Sequence, residues 1–324
     1  MPEWTMSGAL NRALYDALAE DPRVLVFGED VGASGGVFRV TDGLQAEYGE
    51  ARVFDTPISE AGIVGAAVGL CFAGWRPVVE MQFDAFSYPG LEQVIDHVAK
   101  MRMRTRGRVG MPITIRIPSF GGIKGKEHHG ESPETYYAHT AGLKVVVPST
   151  PLDAYRLLRA AIADPDPVVV LEPKARYWSK ETGDLAVSGP GIGEGRVLRE
   201  GGDVTLVAYG AMVARALEAA AALDDDGIEA RVVDLRSLTP IDEDLLQRCA
   251  EETGRIVVIH EAPRTLGMGA EIAARVMELA FDSLAAPIAR VTGWDTPYPP
   301  ASLEHRYLPS VDRVVDAALR TVRY

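Results

Sequence analysis

Apolar positions recur along this chain in two rhythms. Short, mostly apolar runs at 24–27, 77–79, 113–117, 143–147 and 168–171 read as strands buried on both faces of a parallel sheet. Between them lie segments with helical spacing. Leu10, Ala13, Leu14, Ala17 and Leu18 make one stripe, and 87–103 and 151–163 read as further helices. Pro151 and Asp153 suit the opening turn of the last. The stretch ETGDLAVSGPGIGEG at 181–195 then breaks the pattern with Gly, Pro and Ser and no helical period. After it the alternation restarts, with strands expected at 204–208, 230–233, 256–259 and 288–291. Helices are expected at 211–223, 241–252, 269–279 and from Val311. This is the βαβ pattern of two α/β, doubly wound domains with mainly parallel sheets. The expected division is a domain at 1–185, a linker at 186–202 and a second domain at 203–324. A length of 324 residues agrees with two domains.

One helix start stands apart. Ser59 is placed to cap a helix whose first residue is Glu60. From Ala61 to Trp75 there is no charged side chain, and Gly and Ala dominate. A carboxylate at the mouth of an apolar helix is costly unless something polar meets it. A raised pKa there would make it a proton donor or acceptor. The plainer reading is a first-turn glutamate favoured by the helix dipole.

Composition narrows the function classes. The net charge is −13, from 33 basic and 46 acidic residues, which argues against nucleic acid as the main partner. No apolar stretch approaches the roughly 20 residues needed to cross a bilayer. The N-terminal text MPEWTMSGALNRAL lacks a signal-peptide core, and Cys71 and Cys249 form no motif. A cytoplasmic protein with no membrane partner is expected.

Several motifs are weak. Leu266-Gly267-Met268-Gly269 lacks the third glycine and the distal acid of a dinucleotide loop. The alternating Lys100, Arg102, Arg104, Arg106 and Arg108 read as a solvated loop or as a patch for an acidic partner. His128-His129 has no further ligand at zinc spacing. The loop from Gly121 to Gly130 is more informative. It leaves the carboxyl end of the expected strand 113–117, where open α/β sheets bind ligands, and it carries histidines able to move protons near neutral pH. It could equally be a connector.

Taken together, GEDVGASGGVFRVTDGL, FDTPISEAGIVGAAVG, EHHGESPE, GLKVVVPSTPLDA, AYGAMV, HEAPRTLGMGAEI and TPYPPA resemble one family. It is the β subunit of the thiamine diphosphate-dependent decarboxylase component of 2-oxo acid dehydrogenase complexes, within the transketolase-like group. The resemblance runs in order through nearly the whole chain. It also gives meaning to an absence. Such enzymes hold magnesium and the diphosphate with Gly-Asp-Gly and a later Asn. Here there is no Gly-Asp-Gly, and the only asparagine is Asn11, in the first helix. Magnesium needs an octahedral oxygen shell. The resemblance therefore implies that an α subunit, in an α2β2 heterotetramer, supplies the magnesium and diphosphate half of the site. This chain would supply the pyrimidine half.

The resemblance further implies that Glu60 meets the aminopyrimidine ring nitrogen, that Phe86 stacks on the ring, and that Glu29 is a second acid beside it. His129 matches an active-site histidine serving acyl transfer to the lipoyl group of the acyltransferase core. The family usually reads His-Ser-Gln-Ser there, against His129-Gly130-Glu131-Ser132 here. A structural potassium site would use the carbonyls of Ile113, Thr114 and Ala161 with Asp164 and Asp166; the alternative is that Asp164-Pro165-Asp166-Pro167 is a plain turn. The texts at 80–84, 100–108 and 171–177 resemble branched-chain (2-oxoisovalerate) members more than pyruvate members. Pyruvate or acetoin as substrate, and a non-catalytic scaffold subunit, remain the alternatives.

Overall fold

The computed structural model describes residues 1–324, apart from the side chain of Glu127. Its first sheet has seven strands. In spatial order they are Ser237–Thr239, Lys144–Val146, Val168–Pro173, Thr114–Ser119, Arg76–Glu80, Val24–Gly28 and Val53–Asp55. All neighbours are parallel except the first pair. Strands such as VLVFG at 24–28 and VVVLEP at 168–173 are buried at every residue, because helices cover both faces. Helices Met6–Glu20 and Pro151–Ala163 pack together on one face. Met6, Leu10, Leu14 and Leu18 meet Ala154, Leu157, Leu158 and Ala161 there. Thr5 and Thr150 cap these helices with their hydroxyls. Helix Glu60–Phe72 covers the opposite face through Ile63, Val64, Ala67 and Cys71.

The second sheet runs Ala289–Val291, Ile256–Ile259, Val204–Ala208, Ala230–Asp234 and Arg196–Arg199, parallel but for the last strand. Helices Met212–Leu223 and Val311–Val322 pack against each other, as do Glu243–Thr253 and Met268–Ala280. One hydrophobic cluster crosses from sheet to sheet, joining Phe120, Tyr137, Val145 and Val147 to Val207, Tyr209, Val233 and Leu235.

Three expectations change. Arg196–Arg199 lies within the expected linker, yet it pairs antiparallel with Ala230–Asp234 at the sheet edge. Ser237–Thr239 belongs to the second half of the chain but extends the first sheet beside Lys144–Val146. Arg236, buried just before it, bonds Asp153 at 2.8 Å and the Pro190 and Gly191 carbonyls at 2.8 and 3.0 Å, which pins the connection. The single helix expected at 87–103 is broken. A 3₁₀ turn, Ala85–Gly90, contains Pro89; a π turn follows at Val94–Val98, then a short helix, Met101–Arg104. Pro89 has no N–H to donate. Gly90 lies so close to helix Glu60–Phe72 that a Cβ would come within 3.2 Å of the Glu60 carbonyl oxygen. No helix among the described residues is long and apolar enough to cross a membrane.

Candidate active site

Four neighbouring strands of the first sheet, Thr114–Ser119, Arg76–Glu80, Val24–Gly28 and Val53–Asp55, end at one edge. The loop with His129 follows the first, Phe86 the second, Glu29 the third and Glu60 the fourth. Residues separated by up to 100 positions are thus set side by side by strand order alone, at the carboxyl edge where such sheets bind ligands.

Glu60 opens its helix with Ser59 as cap, the Ser59 hydroxyl accepting from the Gly62 N–H at 3.3 Å. Glu29 is 7% exposed and accepts from the Ser59 backbone N–H. Its other environment is unfavourable to charge: burial raises its pKa, and the negative charge of Glu60 raises it further. Glu29 Oε1 is buried with no hydrogen-bond partner, as is the nearby Thr56 Oγ1. Glu29 is thus a buried acid pushed toward its protonated form with one oxygen unfilled.

The other two segments at this edge carry an aromatic group. The Phe86 ring lies 5.3 Å from His129, edge to face, and 5.7 Å from Phe83. Phe83 is 4.3 Å from His129. Burial, then the neighbouring charges of His128 and Lys174, lower the His129 pKa, which keeps the imidazole neutral near pH 7. His129 Nδ1 is buried and unpartnered. Phe83 was not singled out by sequence. Neither was the ion pair beneath it, Lys174 with Asp84, both fully buried. Lys174 Nζ stands 5.8 Å from the Phe83 ring centre. Burial raises Asp84 to about 6 against the pull of Lys174.

Below this edge Arg116 is buried between Glu80 and Glu172 on the flanking strands. Its Nε and Nη2 reach Glu172 at 2.7 and 2.9 Å, and the Tyr177 hydroxyl donates to Glu172 at 2.7 Å. This fork-shaped pairing ties three adjacent strands just under the site.

Other sequence candidates fall elsewhere. Gly267 and Gly269 are small because the His260 ring fills the space above them; a Cβ would meet it at 2.6 and 2.7 Å. Their role is packing. Lys100 pairs with Asp96 and Arg102 with Asp166 on the surface. Asn11 donates to the Val40 and Asp42 carbonyls, a structural staple. The proposed potassium donors lie at the start of strand Thr114–Ser119 and at the end of helix Pro151–Ala163. The Ile113 carbonyl already accepts from the Val168 N–H, and the Ala161 carbonyl from the Asp164 N–H; Thr114 is buried in its strand. Asp164 faces Lys144 at 2.6 Å, and Asp166 faces Arg102. Protein cations meet both carboxylates. Among the described residues no cluster of three His, Cys, Asp or Glu could hold a metal.

Comparison with known proteins matches both halves of the chain to one family. Residues 3–179 match the transketolase pyrimidine binding domain, and residues 193–314 match the transketolase C-terminal domain. The chain is 56% identical over 320 residues to a 3-methyl-2-oxobutanoate dehydrogenase subunit beta of Mycobacterium tuberculosis, covering 98% of this chain and 92% of that one. It is 52% identical to a pyruvate dehydrogenase E1 component subunit beta of Leifsonia xyli, covering 98% and 95%. It is 45% identical to a 2-oxoisovalerate dehydrogenase subunit beta of Pseudomonas aeruginosa, covering 98% and 95%. A split gene transketolase, solved as an inactive β4 tetramer, superposes with a TM-score of 0.80 at 27% identity over 97% of both chains.

Proposed function

The chain belongs to the transketolase-like family of 2-oxo acid dehydrogenase β subunits, and on that premise we propose that it is the β subunit of a branched-chain 2-oxo acid (2-oxoisovalerate) dehydrogenase. With an α subunit it would carry out oxidative decarboxylation and reductive acylation of the lipoyl group of an acyltransferase core. What supports this reading is Glu29, its charge opposed by Glu60, and Phe86 packed on His129, all following strands that end at one edge of the first sheet, in a chain without Gly-Asp-Gly.

The residues present fit the pyrimidine half of thiamine diphosphate. Glu29 Oε1, Thr56 Oγ1 and His129 Nδ1 are buried polar atoms that await a partner. When bound, thiamine diphosphate supplies the electron sink into which a 2-oxo acid loses carbon dioxide. In this chain, Glu60 would hold a proton against the pyrimidine ring nitrogen. Glu29, itself biased toward its protonated form, would keep the pair from carrying two charges. Phe86 would stack on the ring, with Phe83 and the Lys174–Asp84 pair fixing its tilt. Neutral His129 would accept or return a proton during acyl transfer. The magnesium site would be the α subunit's.

A partner for this face is supported by helix Glu60–Phe72 itself. Gly62, Ala66, Gly69 and Phe72 are exposed, the helix has no charge after Glu60, and Ile58 beside it is 85% exposed. Uncharged surface of this kind marks an interface. The similar split gene transketolase is described as an inactive β4 tetramer, which suits a β-type chain that needs a different partner for activity. The surplus of acidic groups favours a basic binding module on the acyltransferase core, docked through residues after about 200 in a salt-sensitive contact. A cytoplasmic setting accords with two buried free cysteines.

A second reading is pyruvate as substrate, favoured by the relative named for it at 52% identity. The test is turnover of the reconstituted enzyme on both acids with an artificial electron acceptor. Each methylene is worth about 1–3 kcal/mol in a size-selective pocket, so 2-oxoisovalerate should lead by roughly 10–200-fold. A specificity constant for pyruvate equal to or above it overturns the branched-chain assignment.

A further inference from the structure

The loop that carries His129 is held from the other domain. Its neck is closed by the Phe120 N–H donating to the Glu131 carbonyl at 2.9 Å. Phe120, Gly122 and Lys124 have φ of 72°, 89° and 56°, all in the left-handed region. Alternation of this kind turns successive backbone N–H groups toward one side and forms a concave nest for an anion. The nest is filled by carboxylates from the second domain. Glu304 accepts from the Gly122 N–H at 3.0 Å and the Lys124 N–H at 3.1 Å, and Glu261 accepts from the Gly121 N–H at 2.9 Å. The Tyr298 hydroxyl donates to Glu304 at 2.7 Å.

The same tyrosine touches both ends of the loop. A Cβ on Gly121 would lie 2.0 Å from the Tyr298 hydroxyl, and one on Gly130 would lie 2.3 Å from its ring. Within the loop, a Cβ on Gly125 would come within 3.0 Å of His129 Cβ. The chain of contact is therefore short: Glu304 holds Lys124, Gly125 next to it packs on His129, and Gly130 on the other side packs on Tyr298.

We propose that Glu304 and Tyr298, assisted by Glu261, are positioning residues that set His129 in register with the edge of the first sheet from the second domain. All three act on His129 through the loop backbone. The inference rests on the proposed role of His129, but its structural half stands without it.

The test has two arms. Hydrogen exchange on the full chain reads the loop directly. Glu304→Ala should raise exchange at Gly122 and Lys124 at least tenfold, with protection in the two sheets unchanged. Glu304→Gln, which keeps one acceptor oxygen, should restore most of that protection. Tyr298→Phe, which keeps the ring and drops the hydroxyl, should give a smaller rise confined to the same amides. In the complex reconstituted with its α subunit and acyltransferase core, Glu304→Ala should lower kcat for acyl transfer at least tenfold and leave KM for the 2-oxo acid within about threefold, each factor of ten being about 1.4 kcal/mol. Exchange and kcat at wild-type levels in Glu304→Ala would overturn the proposal. So would a uniform loss of protection across the chain in both Glu304→Ala and Tyr298→Phe, since that marks a purely structural role. Should Glu60→Gln retain full activity, the functional reading fails while the exchange arm still decides the clamp.

Discussion

The Tyr209 hydroxyl lies 2.8 Å from Glu134 Oε1, joining a tyrosine at the end of a second-domain strand to a fully buried glutamate of the first domain. Glu134 Oε2 has no partner. Burial pushes Glu134 from its ordinary 4.5 up to about 7. Glu261 nearby is raised to about 7, chiefly by burial, and the charge of Glu134 adds to this. The boundary between the domains therefore stores two protons at acidic pH.

The consequence for stability has a definite sign. An unfolded glutamate loses its proton near 4.5, whereas these two keep theirs to about 7 when folded. Over that window the folded state binds more protons, so their contribution is complete below 4.5 and is lost as pH rises through 7. Glu134→Gln is neutral throughout. Its melting temperature relative to the parent chain should climb from pH 4.5 to 7 and level off above. Parallel melting curves against pH would contradict this.

Glu60→Gln keeps shape and removes the titrating proton. Turnover of the reconstituted enzyme should fall by about a hundredfold or more, as for loss of a general acid–base group. Association with the α subunit, read by size-exclusion chromatography, should persist. Near-normal turnover would reduce Glu60 to an ordinary residue of a helix start.

His129→Ala separates two steps. Acyl transfer in the full complex should suffer more than decarboxylation measured with an artificial electron acceptor. Equal activity of parent and variant in both assays would remove His129 from the chemistry.

Arg116→Met leaves Glu80 and Glu172 buried without their cation. Breaking a buried pair from one side costs about 3–5 kcal/mol, so urea denaturation should show a loss of that order. A change below about 1 kcal/mol would mean the two acids are neutral in the folded chain.

Much of this was readable in the sequence, for a physical reason. A strand covered by helices on both faces is mostly apolar, and Val204–Ala208 and Ile256–Ile259 lie where their runs predict. Helix Pro151–Ala163 has both its cap and its stripe in the text. Arg196–Arg199 escaped because an edge strand with arginine at both ends has no apolar run. Ser237–Thr239 escaped because it joins a sheet built from the other half of the chain. In the site, the uncharged helix behind Glu60 was a signal in itself. The loop with His129 was legible as a histidine-bearing segment at a strand's carboxyl end, whereas Glu29 and Phe86 were legible only through resemblance, since strand order, not spacing, unites them. Glu261, Glu304 and Tyr298 act from more than 130 residues away on backbone N–H groups, and backbone donors leave no mark on sequence. The one hint was acids set among apolar or small neighbours, as in Ile259-His260-Glu261-Ala262.

The central claim is that this chain is half of a cofactor site. Calorimetric titration of thiamine diphosphate with magnesium, first into the isolated chain and then into an equimolar mixture with the α subunit, tests it most directly. The chain alone should show no saturable binding, and the pair should show saturable, magnesium-dependent binding. Tight magnesium-dependent binding by the isolated chain would contradict it.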